Sequence, residues 1–310
     1  MKHIVSVSLG SSKRNHRVET ELLGENFIIE RIGTDGDFNR VLELIREMDG
    51  KVDAFGMGGI DLYLYAAGKR YEIKDALVIK EAAKKTPIVD GSGLKNTLER
   101  KVIKYIDKNI FKIKDKSVLM VSATDRFGML EAFYELGAEL TIGDLMFSLD
   151  IPIPLKSVKV FQALAKVILP IATRMPFEKL YPTGKSQEER TPKHEKYFNE
   201  ADIIAGDCLF IKRYMPDNLE GKIIITNTVT EDDIEELKNL GAKMLVTTTP
   251  EFNGRSFGTN VMEAVLVSIM QKNIDDITPK DYEILLEKLN FKPRVVYLND
   301  EFVDAKANII

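Results

Sequence analysis

The chain has no tryptophan, one cysteine and 3 histidines in 310 residues. Cys208 cannot close an internal disulfide, and no Cys-x-x-Cys or Cys/His spacing offers a zinc site. His3, His16 and His194 are scattered, so no metal ligand set is expected. A lone thiol fits a reducing compartment, and the protein is expected in the cytoplasm. Neither sign of charge dominates: 44 basic residues face 48 acidic ones, a formal net charge of −4. No basic arm or stripe exists to follow a phosphate backbone, so nucleic acid is not expected as a partner. No apolar leader precedes the strand-like HIVSVSL at 3–9, so no targeting segment is expected.

A long uncharged apolar run is also missing. Residues 151–177 are rich in apolar side chains, but Lys156, Lys159, Lys166, Arg174 and four prolines interrupt them. A bilayer span needs about 20 mostly uncharged residues, so no membrane span is expected. The helical spacing reads as a buried amphipathic helix. A dimer or lid surface is the other reading, and a homodimer is expected.

What the chain does have is alternation of strands and helices. Strand-like runs stand at 3–9, 27–33 and 86–91, and Val41, Leu42, Leu44, Ile45 and Met48 recur at helical spacing over 38–48. Further strands are expected at 117–121, 139–143, 202–205, 222–226 and 243–247. Helices are expected at 127–136, 158–169, 231–239 and 259–271. This order implies an α/β protein: an N-terminal α/β substrate domain, then a Rossmann-like doubly wound parallel sheet. The expected boundaries are 1–112 for the first domain and 113–275 for the second, with a helical insertion at 151–197. Residues 276–310 would pack back as a helix and a strand. The polar, proline-punctuated 181–197 suggests a loop or lid.

Several segments could carry chemistry. In S122-A-T-D-R-F-G128 a strand feeds a helix, so free N–H groups and the positive end of the helix dipole favour an anion. Ser122, Ala123, Thr124, Asp125, Arg126, Phe127 and Gly128 would face a pyrophosphate, although the first two fingerprint glycines are missing. Asp144 follows about 20 residues on, where a carboxylate can accept from a ribose. NAD or NADP is therefore expected, NAD being preferred because Asp144 would repel a 2′-phosphate. In DGSGLKN, 90–96, the glycines allow a tight turn, and Asp90 with Lys95 can share proton transfer on an alcohol. Asp90 can equally cap the following helix. The turn SLGSSKR, 8–14, offers hydroxyls and two cations to a substrate carboxylate, with Ser11 and Ser12 as candidates, or is a solvated turn. Asp61, after the glycines of 56–59, can bind a substrate hydroxyl. Late in the chain, Thr226, Asn227, Thr247, Thr248, Arg255, Asn260 and Glu263 lie between strands and helices, where a doubly wound sheet binds ligands.

At these residues the chain resembles the shikimate and quinate dehydrogenase family. VDGSGL (89–94) stands where that family ends its substrate domain, and 116–142 where its nucleotide domain begins. SLGSS (8–12) is similar to the serine turn that holds the substrate carboxylate there. The resemblance implies a NAD(P)-dependent oxidoreductase acting on a ring hydroxy acid of quinate or shikimate type. It implies a catalytic Asp90 with a lysine. The family's catalytic lysine has no counterpart in AFGMGGIDLYLY (54–65), so Lys69, Lys74 or Lys95 would substitute, and SATD replaces the glycine-rich phosphate loop. A small-acid or nucleotide sensor, and a transferase using a phosphorylated donor, are the rival readings.

Overall fold

The structure is a computed structural model that describes residues 1–66, 68–176, 190–249, 251–252 and 255–299. Along the chain come β1 (Lys2–Ser8), β2 (His16–Leu22), β3 (Glu25–Gly33), α1 (Phe38–Met48) and β4 (Ala54–Gly58). A hairpin of β5 (Tyr63–Ala66) and β6 (Lys69–Glu72) leads to α2 (Lys74–Ala82), β7 (Ile88–Val89) and α3 (Ser92–Asn109). Then follow β8 (Ser117–Met120), α4 (Phe127–Glu135), β9 (Glu139–Ile142), α5 (Asp144–Ser148) and α6 (Val158–Ala172). Next are α7 (Glu195–Glu200), β10 (Ile203–Ala205), α8 (Cys208–Tyr214), β11 (Ile223–Thr226), α9 (Glu231–Asn239) and β12 (Met244–Thr247). The last are β13 (Glu251–Phe252), β14 (Arg255–Ser256), α10 (Thr259–Met270), α11 (Pro279–Lys288) and β15 (Arg294–Tyr297).

The fold is α/β with two parallel sheets, and the chain divides into two compact units. The first holds 1–98, 162–189 and 257–291; the second holds 99–161, 190–256 and 292–310. These limits differ from the boundaries expected at 112 and 275. The reason lies in α10, which packs on β1, β4 and β7 of the first sheet although it follows β12 of the second. Local sequence rules do not register such a return. Residues 181–189 of the expected loop lie outside the described residues, while Glu195–Glu200 form a helix.

The first sheet runs β2-β3-β1-β4-β7, with β2 antiparallel and the rest parallel. Its β1 is buried on both faces, as parallel strands are: Ser6 and Ser8 are as hidden as Ile4, Val5 and Val7. The alternation in HIVSVSL therefore does not mark a wet face. α1 buries Val41, Leu42, Leu44 and Ile45, the stripe its spacing foretells, and the Asp37 side chain caps it by accepting from Arg40 N. Each such side chain contributes about 1.5–3 kcal/mol of burial.

The second sheet runs β15-β12-β11-β10-β8-β9, parallel except for β15. α9 opens with a Thr230–Asp233 capping box, in which each side chain accepts from the other residue's backbone N–H. α6 hides Phe161, Ala165 and Leu169 but leaves Val160, Val167 and Ile171 exposed at 49, 67 and 68%. The amphipathic helix read in 151–177 is present over Val158–Ala172, with one face buried and apolar side chains also exposed on the other. Among the described residues, no helix is long and apolar enough to cross a membrane.

Numbered by their parallel strands, the two sheets share one order. β3-β1-β4-β7 and β9-β8-β10-β11 both read second, first, third, fourth. In each, the connection reverses direction between the first and third strands, where doubly wound sheets open a ligand crevice at the strands' carboxyl ends. That point lies at the ends of β1 and β4 in one unit and of β8 and β10 in the other.

Candidate functional sites

In the second unit, the carboxyl end of β8 leads into Ser122–Gly128. The free N–H groups of Ala123 and Thr124 converge on one anion, as the strand–loop–helix geometry requires. That anion is the protein's own Asp144, which accepts from Ala123 N at 2.8 Å and Thr124 N at 2.7 Å. Asp144 opens α5 and is buried; burial raises its pKa, while its hydrogen bonds, from Thr124 above all, pull it down. The expectation that it meets a ribose from the end of the next strand is corrected. Its carboxylate occupies the loop because β9 stops at Ile142 and the chain turns into a helix at Asp144.

Arg126 is likewise held by the protein's own acids. Its side chain is 4% exposed and reaches Glu99 at 2.7 Å, Asp207 at 3.0 Å and Asp125 at 3.1 Å. Burial opposes the charge, and Asp125, Glu99 and Asp207 override it, so Arg126 stays firmly protonated. Ser122 Oγ accepts from Asp207 N. Phe127 is buried and stacks on Phe161, while Gly128 is buried in the first turn of α4. On the neighbouring strands, Asn227 donates to Asp207 and accepts from Cys208 N. Thr226 Oγ1 donates to Gly206 O, and Thr247 Oγ1 to Thr249 O. Thr248 is fully buried, its hydroxyl without a hydrogen-bond partner among the described residues. The structure thus brings together the expected loop and Asn227, but as an internally bonded network. Four acidic residues, Glu99, Asp125, Asp144 and Asp207, take part in it. These residues do not fit a second anion in this arrangement.

The first unit gathers a different set. Asp61, beyond the end of β4, pairs with Lys95 of α3 at 3.1 Å, their side chains 14 and 11% exposed. Asp90, beyond the end of β7, accepts from Leu62 N at 2.6 Å, from Ser92 Oγ at 2.5 Å and from Ser92 N at 3.1 Å. It therefore ties the Asp61 loop to the start of α3. Arg70 lies over the Tyr63 ring at 4.6 Å. Burial, Asp90 and Glu263 raise the pKa of the Tyr63 hydroxyl, against Arg70 and Lys95. Behind this set, Glu263 of α10 accepts from Gly91 N at 2.7 Å and from Tyr282 OH at 2.5 Å. Burial first, then Asp90, push Glu263 up to about 7.

Both glycines of DGSG answer to α10. Gly91 has φ +96°, and a Cβ there would meet Asn260 N at 2.7 Å; a Cβ on Gly93 would collide with Glu263 and Tyr282. Asn260 is therefore not in the nucleotide-domain crevice where the sequence puts it. Its Nδ2 donates to Ser6 Oγ at 2.8 Å, in space left by Gly56 and Gly58. Glu263, too, belongs to the first unit. Lys69 is exposed on β6, 5.6 Å over the Tyr71 ring, and no described contact joins it to Asp90. The Arg255 side chain lies outside the described residues.

The serine turn is internally bonded as well. Ser11 Oγ accepts from Lys13 N and so caps the 3₁₀ turn Ser12–Arg14, and Ser12 N donates to Asp35 Oδ1 at 2.7 Å. Sequence reasoning missed Arg31, Glu99, Asp207, Tyr63 and Tyr282. A charge inside the strand FIIERIG, and an Asp following β10, were the signals available for Arg31 and Asp207. Among the described residues, no group of three His, Cys, Asp or Glu side chains is placed to hold a metal ion.

Several solved structures are similar at a distance. A galactofuranose-binding protein is 13% identical, covering 94% of this chain and 99% of that one, with a TM-score of 0.33. The hetero-hexameric glutamate dehydrogenase of Thermus thermophilus is 10% identical over 93% and 73%, with a TM-score of 0.44. The NAD-dependent malic enzyme of Thermotoga maritima is 13% identical over 81% and 66%, with a TM-score of 0.32. Likenesses this remote carry no functional argument. No curated protein matches the chain. Residues 3–90 match a family described as a domain of unknown function, DUF8753. Residues 93–298 match another, the domain of unknown function DUF8754, and because that match spans most of its length, the chain belongs to the DUF8754 family.

Proposed function

We propose that the protein binds a small hydroxylated carboxylic acid at the carboxyl ends of β1 and β4, and that the Asp61–Lys95 pair handles a proton of its hydroxyl group. The observation that carries this reading is the pair itself: a carboxylate and an ammonium 3.1 Å apart, nearly buried, at the switch point of a doubly wound sheet. A carboxylate held by an ammonium can accept a hydroxyl proton while the cation steadies the developing alkoxide. Asp90 positions rather than reacts in this scheme. Its oxygens already accept three hydrogen bonds, which fix the loop carrying Asp61. The substrate class follows the sequence resemblance, a ring hydroxy acid of quinate or shikimate type.

The test is a proton NMR time course of quinate and of shikimate with the purified protein, alone and with NAD or NADP. Saturation transfer to at least one acid, and loss of any turnover in Lys95→Met, are expected. If neither acid binds, the reading fails.

The nicotinamide-dependent form, a quinate or shikimate dehydrogenase preferring NAD to NADP, makes a separate demand. Ala123 and Thr124 must give up Asp144 before a pyrophosphate can take their N–H groups. Asp144→Ala should then bind NAD or NADP more tightly than wild type, measured by calorimetry. Unchanged absence of binding in that variant would contradict the nicotinamide form.

A further inference from the structure

We propose that Arg31 anchors an oxyanion seat at the carboxyl ends of β1 and β3, taking a carboxylate or phosphate group through the free side of its guanidinium. Arg31 sits near the end of β3, where its hydrogen-bond acceptors are neutral. It donates Nη1 to Ser11 O at 3.0 Å and to Asn15 Oδ1 at 3.2 Å, and Nη2 to Ser8 Oγ at 3.1 Å. A guanidinium has five N–H donors, so the Nε–H and one Nη2–H have no acceptor among the described residues. An arginine fork of this kind matches the paired oxygens of a carboxylate or phosphate.

The balance of charge points the same way. A half-buried cation with no carboxylate among its hydrogen-bond acceptors is poorly compensated. Burial first, then Arg14, lower Arg31 to about 10, and Asp35 opposes them only in part. Asp35 is itself engaged by Ser12. Of the two charged groups that act on Arg31, Arg14 outweighs Asp35. An incoming anion completes the hydrogen bonds and the charge together. The seat differs from the expected serine site, because Ser11 and Ser12 are occupied in the turn itself. It also rests on different residues from the Asp61–Lys95 reading, of which it would name the acid-binding end.

The test is calorimetric titration of the full chain with inorganic phosphate, acetate and quinate, each against sodium chloride of matched ionic strength. Saturable binding of phosphate or of a carboxylate is expected. Tighter phosphate assigns the seat to a phosphorylated ligand, and tighter quinate to a hydroxy acid. Arg31→Gln should weaken binding about tenfold to a hundredfold, and Arg31→Lys should recover part of it. Should Arg31→Gln fail to fold, Arg14→Gln, on the turn beside the fork, serves instead and should weaken binding severalfold. Anion binding and turnover are separate readouts, so the seat and the proton-transfer reading fail separately. No binding beyond chloride, or equal binding by folded Arg31→Gln, overturns the seat.

Discussion

Two arginines, one in each unit, stand near the end of the first parallel strand of their sheet and are satisfied in opposite ways. Arg126 has three carboxylates within 3.1 Å. Arg31 has three neutral oxygens and two spare donors. The loop N–H groups beside Arg126 are also taken, by Asp144. One sheet's crevice is closed by its own acids, and the other keeps a cation waiting for one. The same strand order therefore does not imply the same ligand; what fills the strand ends decides.

Replacement of the two arginines should break the symmetry of the comparison most strongly. Arg126→Met removes the cation shared by Glu99, 1% exposed, and two further acids, and should cost about 3–5 kcal/mol in urea unfolding. Equal loss on Arg31→Gln would mean that Arg31 is held by its neighbours as firmly as Arg126, and the contrast would collapse.

A second effect sharpens the acid side of the first unit. Glu263 is raised from 4.5 to about 7, so the folded protein holds its proton more tightly than the unfolded chain. The stabilisation from that proton is present below pH 4.5 and lost as pH rises to about 7. The loss is on the order of 3 kcal/mol. Unfolding measured across that window should show the slope in wild type and not in Glu263→Gln. A slope unchanged by the substitution would exclude Glu263 as its source.

Gly91→Ala should cost about 1–3 kcal/mol, because the residue needs φ +96° and lies against the start of α10. A thermal melt at wild-type temperature would show that α10 does not press on this turn. The smallest change is expected from Arg31→Gln in the absence of anions: within about 1 kcal/mol of wild type, since three hydrogen bonds are lost but a half-buried charge is removed.

Much of the framework was legible in the residues. The 41–42–44–45 stripe, the Thr230–Asp233 box and the alternation of strands with helices depend on neighbours within a turn or two, and local physics governs them. DGSG was legible as a tight turn, but the reason for Gly93 was not, since Glu263 and Tyr282 reach it from far along the chain. Asp90, Lys95 and Asp61 could be named from residue type, and the fold brings them into one region. The fate of the SATD loop was hidden because Asp144 reads the same whether it meets a ribose or two backbone N–H groups. Arg31 was hidden for a related reason: a charge in a strand says nothing about which oxygens stand around it.

A crystal structure grown in inorganic phosphate tests the contrast most directly. Phosphate should lie on Nε and Nη2 of Arg31, with Asp144 still accepting from Ala123 and Thr124. Phosphate on Ala123 and Thr124 with Asp144 displaced, and none at Arg31, would contradict the account.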